Sequence, residues 1–210
     1  MLYFSYGHDL NDRSLAEWFD QNRLRSQPPR KMTAATAVNF RIAFPLFSSY
    51  WQGGVAGMIP APGKRVAGAL VELADKHFDH LAEFNDARLD DRGIPRGAYR
   101  PLTISVTPYT GGEAVEALTF VPVAPDDGHV PPTRLYLERL VEAALDLDLS
   151  AFWVMHLRSF PTGPEETSRY FPKRRIVEPV RAVRDLIKVP RRESEPAVGT
   201  PLGTTLKVVA

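Results

Sequence analysis

Hydrophobic and polar positions along the chain fall into short strand-like runs broken by turn residues, with three segments at helical spacing. Leu2 to Tyr6 holds four apolar or aromatic residues and one Ser, the pattern of a short buried strand. Gly7 ends it and lets the backbone turn. Asn11, Asp12 and Ser14 are helix caps, and Leu15, Trp18 and Phe19 share a face, so a helix is predicted over Asn11 to Asn22. Gln27 to Lys31 reads as a loop. Thr33 to Phe44, rich in β-branched and aromatic residues, predicts a strand ended by Pro45. Leu46 to Gly57 reads as a loop. Val55 to Pro60 and Arg65 to Leu73 read as two strands joined by a hairpin turn at Ala61 to Lys64.

Asp75 caps a predicted helix through about Asn85, with Phe78, Leu81 and Ala82 on one face and Asn85 one turn after Leu81. Asp86 to Arg92 carries five charges in seven residues, so the stretch to Gly97 is a solvated loop. Tyr99 to Thr107 alternates Leu102, Ile104 and Val106 with Thr103, Ser105 and Thr107, a half-buried strand. Gly111-Gly112 makes a turn before a further strand within Glu113 to Val123. Thr133 caps a helix through about Leu147, with Leu137, Leu140, Val141, Ala144 and Leu145 as its buried stripe. Ser150 caps another through about Arg158. These runs predict an α+β fold, a mixed, barrel-like sheet of five or six strands with helices around it. A pocket is expected near the C-terminal end of the first strand.

Four segments, taken in order, resemble the gamma-glutamylcyclotransferase-like (AIG2-like) superfamily. They are Met1 to Leu10, Asn39-Phe-Arg-Ile-Ala-Phe44 with the Trp51-Gln-Gly-Gly54 turn, Val66-Ala-Gly-Ala-Leu-Val71, and Leu81-Ala-Glu-Phe-Asn-Asp86. Family members carry Tyr-Phe-x-Tyr-Gly-Ser-Asn-Leu at the N-terminus, then Phe-Arg-Leu-x-Phe, Trp-x-Gly-Gly and Val-x-Gly-x-Leu. A Leu-x-x-x-Glu-Gly segment then holds a catalytic Glu. The resemblance covers roughly residues 1–150. It implies a small-molecule pocket bordered by Tyr6, Gly7, His8, Asp9, Leu10, Trp51, Gly53, Gly54, Tyr99 and Tyr136. It also implies a cyclisation in which a γ-glutamyl α-amine attacks its own side-chain carbonyl and releases 5-oxoproline.

Two departures matter. The family's Ser-Asn becomes His8-Asp9, and its Glu-Gly falls on Asn85-Asp86. A carboxamide has no proton to shuttle near neutral pH. Asn85 therefore marks the catalytic position without filling it, and Asp86 and His8 are the candidates to act there. His8 titrates near neutrality; Glu83 lies two residues back and points elsewhere on a helix. The chain is thus either an enzyme of this type with altered groups or a non-catalytic binding or regulatory protein that keeps the pocket. Read as single residues, Trp51 and the tyrosines are ordinary core with satisfied hydroxyls.

Composition narrows the classes further. The 210 residues contain no Cys, which excludes a thiol nucleophile, disulfides and Cys-ligated metal. No cofactor is implied. His77 and His80 stand three apart without a third ligand and read as a solvated helix face rather than a metal site. No signal segment and no apolar run long enough to cross a membrane is present, so a cytoplasmic protein is expected. Net charge is +1, which favours no class of partner. Residues 1–158 read as one domain. Residues 159–210 read as a basic extension with a short helix from Glu178 to Val189 and a flexible Pro/Gly/Ser/Thr-rich end. Such an extension packs on its own domain or on a second copy. Beyond Tyr170 and Phe171 it has no aromatic stacking pattern, so nucleic acid is not an expected partner.

Overall fold

Two long strands build most of the sheet. β2 (Met32–Ser48) and β3 (Gly53–Glu72) run antiparallel from Ser48 opposite Gly53 to Met32 opposite Val71. The turn between them has Gln52 at positive φ. The other elements are β1 (Leu2–Ser5), α1 (Asp75–Phe84), β4 (Tyr99–Pro108), β5 (Val115–Pro122), α2 (Arg134–Asp146) and α3 (Ala151–Arg158), with a 3₁₀ turn at His8–Leu10. This computed structural model describes residues 1–10, 32–73, 75–87, 89–123 and 128–163. The predicted helix over Asn11 to Asn22, the loop at Gln27 to Lys31, the helix from Glu178 to Val189 and all of the extension past Gly163 lie outside the described residues.

The strands close into a barrel in the order β1-β3-β2-β4-β5. β1 is antiparallel to β3 and parallel to β5, with Tyr3 opposite Leu118, which makes the sheet mixed. Closure leaves no free sheet edge. Tyr3, Phe4, Phe44, Met58, Val66, Val71, Phe120 and Tyr136 form the centre of the core, each 2 % exposed or less. The α+β barrel expected from the sequence is the observed architecture.

Three local expectations are corrected. The 61–64 stretch is not a hairpin turn. Pro60 still pairs with Phe40 and Arg65 with Val38, so residues 61–64 bulge out opposite Asn39 within one continuous strand. Asn39 and Gly63 both take positive φ there, and the Gly63 N–H donates to Asn39 Oδ1 at 3.0 Å. Pro45 does not end its strand either. It sits in a register shift between Ala43 and Leu46, where the ladder tolerates a residue without an N–H. The presumed loop from Leu46 to Gly57 is therefore mostly strand. On α2 the buried residues are Tyr136, Leu137, Leu140, Val141, Ala143 and Ala144, whereas Leu145 is 52 % exposed. The stripe drifts as α2 nears its end at Asp146.

Two of the expected helix caps match the sequence, whereas Asp75 falls within α1 itself. Thr133 Oγ1 accepts from the Tyr136 N–H and Ser150 Oγ from the Trp153 N–H. Phe78, Leu81 and Ala82 of α1 are buried, and Phe78 stacks on Phe120 with ring centres 5.5 Å apart. Past the end of α3, Phe160 meets Phe44 edge-on at 4.9 Å, which ties the end of the described chain back to β2.

Candidate active site

The first strand runs straight into the chemistry. Gly7 is followed by a tight turn in which the Leu10 N–H donates to the Gly7 carbonyl at 3.0 Å. The turn folds Asp9 back over β1. The Tyr3 hydroxyl donates to Asp9 Oδ2, and a Cβ on Gly7 would lie only 3.4 Å from Asp9 Oδ1. Asp9 is 2 % exposed and, among the described residues, is the one buried ionisable carboxylate. No Lys or Arg of those residues pairs with it.

Three more tyrosines surround this group, each tied to backbone by its hydroxyl. Tyr6 donates to the Phe120 carbonyl at 2.6 Å and accepts from the Met58 N–H at 3.1 Å. Tyr99 donates to the Ala56 carbonyl at 2.6 Å, and Tyr136 accepts from the Ala56 N–H at 2.9 Å. Burial is the largest cause that pushes all four phenols far above their usual range. The Asp9 charge adds to the effect in every one, so all four feel this carboxylate. Trp51, half-buried, meets the Tyr136 ring edge-on at 5.0 Å. Ser5, on the same face of β1 as Tyr3 by strand alternation, is fully buried with no hydrogen-bond partner for its hydroxyl.

A pH response follows from those phenols. In the unfolded chain they ionise near pH 10, while the fold holds them protonated. Their folded-state pKa is raised, so the stabilisation is complete below pH ~10 and is lost as pH climbs above it. Each contributes a loss of about 1.4 kcal/mol per pH unit in that range. In an alkaline titration, the tyrosinate absorbance of these four should appear only together with loss of the near-ultraviolet dichroism of the fold. Smooth ionisation of all seven tyrosines with the fold intact would contradict the burial described here.

The other candidate residues are placed as follows. Asn85 is buried, and its side-chain amide donates to the Leu81 carbonyl at 3.0 Å, capping the end of α1. Asp86 takes φ +49°, the left-handed conformation that suits a Gly. There its N–H closes on the Glu83 carbonyl, the Ala87 N–H closes on the Ala82 carbonyl, and Asp86 Oδ2 accepts from the Ala98 N–H at 3.0 Å. That carboxylate thus fastens the loop into β4. Asp86 also acts on Tyr99 through its charge. His8 is half-exposed beside Asp9, and Leu10 is buried in the core. Gly53 and Gly54 lie under the segment before α2. A Cβ on Gly53 would come within 2.8 Å of the Thr133 nitrogen, and one on Gly54 within 1.9 Å of the Val130 carbonyl oxygen.

At the end of β1, where a pocket is expected, the described residues are closely packed. Tyr3, Phe4, Ser5, Tyr6, Asp9 and Leu10 are each 5 % exposed or less, and only His8 of that stretch reaches solvent. A cleft of about 380 Å³ lies between α3 and the sheet, lined by Arg65, Tyr109, Ser150, Phe152, Trp153 and His156 among others. It contains no carboxylate and none of the candidate site residues named from the sequence. Burial, helped by Lys64, holds the His156 imidazole below its ordinary value. His77 and His80 are half-buried rather than on a solvated face, and no group of three metal-binding side chains occurs among the described residues. Nor is any described helix long and apolar enough to cross a membrane.

Sequence reasoning missed the Tyr3–Asp9 pair. The signal available was Gly7 between them, a residue at which the chain turns readily and so brings Asp9 back along the strand.

Solved structures with the same fold are similar to this chain. One is described as a gamma-glutamyl cyclotransferase: TM-score 0.64, 17% identity, 89% of this chain and 96% of that one covered. A second is a Homo sapiens protein described as uncharacterized, with TM-score 0.62, 18% identity and coverage of 90% and 98%. A third is YkqA from Bacillus subtilis, with TM-score 0.60, 20% identity and coverage of 78% and 56%. At these identities they show the fold alone. No curated protein sequence matches the chain. Residues 3–138 match the family profile described as gamma-glutamyl cyclotransferase, AIG2-like. With most of the barrel inside that match, the chain belongs to the gamma-glutamyl cyclotransferase, AIG2-like family.

Proposed function

We propose that the protein cyclises the γ-glutamyl group of a γ-glutamyl amine or related amide, releasing 5-oxoproline and a free amine, with altered catalytic groups. The observation that carries this reading is the buried group of four tyrosines around a carboxylate, on the strand and turn of the family's first motif. The reaction needs a base for the α-ammonium and fixed donors for the substrate's oxygen atoms. The site combines a carboxylate with the Tyr136 hydroxyl, which burial keeps protonated and which accepts from the Ala56 N–H, so that its own proton is left to donate. Asn85, with its amide committed to Leu81, supplies no proton.

That last observation favours a second reading, a binding or regulatory protein that holds a γ-glutamyl compound without turning it over. One assay separates the two. The wild-type chain and Asn85→Glu are offered a panel of γ-glutamyl amines, and 5-oxoproline is measured. Turnover by wild type is expected. Turnover by Asn85→Glu alone would establish the binding reading, and silence from both would remove the reaction. The expected ligand is a small molecule, and the expected setting is the cytoplasm. Residues 159–210 are proposed as an extension that packs on the barrel or on a second copy.

A further inference from the structure

We infer that Asp9, oriented by the Tyr3 hydroxyl, is the catalytic base of this chain, in place of the family's glutamate at the position of Asn85. The inference rests on the cyclisation reading above. Four observations carry it. Asp9 is the one buried ionisable carboxylate among the described residues, and no Lys or Arg of those residues pairs with it. A lone buried carboxylate is costly unless something compensates it, and a substrate ammonium provides that compensation. Asp9 is fixed rather than adrift, with Oδ2 held by Tyr3 and Oδ1 lying over the bare α-carbon of Gly7. The other candidate carboxylate, Asp86, has Oδ2 engaged with the Ala98 N–H and serves the end of α1. Finally, the buried Ser5 hydroxyl has no partner, so β1 carries polar capacity that the protein itself leaves unused.

The step balances without a co-reactant. Asp9 takes one proton from the substrate's α-ammonium, and the freed amine nitrogen forms a bond to the γ-carbonyl carbon. The resulting oxyanion collapses and the bond to the leaving amine breaks. Asp9 hands its proton to the leaving nitrogen and then relays a second from the ring nitrogen. Two of the three ammonium protons thus end on the released ammonium, and one stays on the 5-oxoproline nitrogen.

The test is Asp9→Asn, which keeps the size of the side chain. Thermal unfolding checks the fold, 5-oxoproline itself serves as the binding probe, and turnover is followed across pH. We expect Asp9→Asn to melt no lower than wild type and to bind 5-oxoproline. Its kcat should fall by roughly 10²–10⁴-fold and lose the acidic limb of the wild-type pH profile. Tyr3→Phe should move that limb while leaving turnover measurable. If wild type turns over and Asp9→Asn stays within a few-fold of it with the limb intact, Asp9 is not the base and the cyclisation reading stands. If wild type releases no 5-oxoproline, both fall together. Should Asp9→Asn fail to fold, the same decision passes to the wild-type profile and its response to Tyr3→Phe. A limb that does not move overturns the assignment.

Discussion

Gly54→Ala should cost about 3 kcal/mol of stability, at or above the upper end of ordinary overpacking. Gly54 has no special φ, so space alone decides. A Cβ there would stand 1.9 Å from the Val130 carbonyl oxygen, 2.8 Å from the Val130 carbonyl carbon and 3.1 Å from Phe44 Cβ. The first two are backbone and cannot rotate away. They are also pinned, because the Gly54 N–H donates to the Pro131 carbonyl at 3.0 Å and the Val130 N–H to the Phe44 carbonyl at 2.9 Å. Accommodation means prising the 130–133 segment off the barrel, and with it the Thr133 cap of α2. For a chain of this size the melting temperature should drop by roughly 10 °C. Gly63→Ala is the control. Nothing lies within 4 Å of its absent Cβ, and only its φ of +75° resists, worth roughly 1–2 kcal/mol. Equal effects of the two substitutions would contradict the packing described.

Tyr6→Phe should cost about 3 kcal/mol although it removes one oxygen atom. That hydroxyl donates to the Phe120 carbonyl on β5 and accepts from the Met58 N–H on β3, so it bridges two strands just past β1. Without it two buried backbone groups lose a partner, each at roughly 1–3 kcal/mol. Tyr99→Phe orphans only the Ala56 carbonyl and should cost about half as much. Urea unfolding of the two variants beside wild type checks the order. A neutral Tyr6→Phe would mean that water or a shifted backbone already satisfies those groups.

Local chemistry made much of the fold legible. β1, α1, β4 and the Thr133 and Ser150 caps follow from residue pattern because each is decided within a few positions. The bulge at 61–64 was not legible. Pro60, Pro62 and Gly63 look like a hairpin turn, and only pairing with β2 on both sides shows one strand. Pro45 misled for the same reason, since a strand end and a bulge need the same missing N–H. At the site, Asn85 showed what the chain lacks, and Asp86 in a glycine's conformation accounts for its place after it. What replaces the lost carboxylate was not legible. The Tyr3–Asp9 pair depends on how tightly the chain turns at Gly7, and the convergence of Tyr6, Tyr99 and Tyr136 depends on barrel closure.

The measurement that bears most directly on all of this is 5-oxoproline release by the unaltered chain from a panel of γ-glutamyl amines. The site described predicts release, matched one for one by the free amine. A folded protein that yields neither product, with or without a glutamate restored at Asn85, would contradict it.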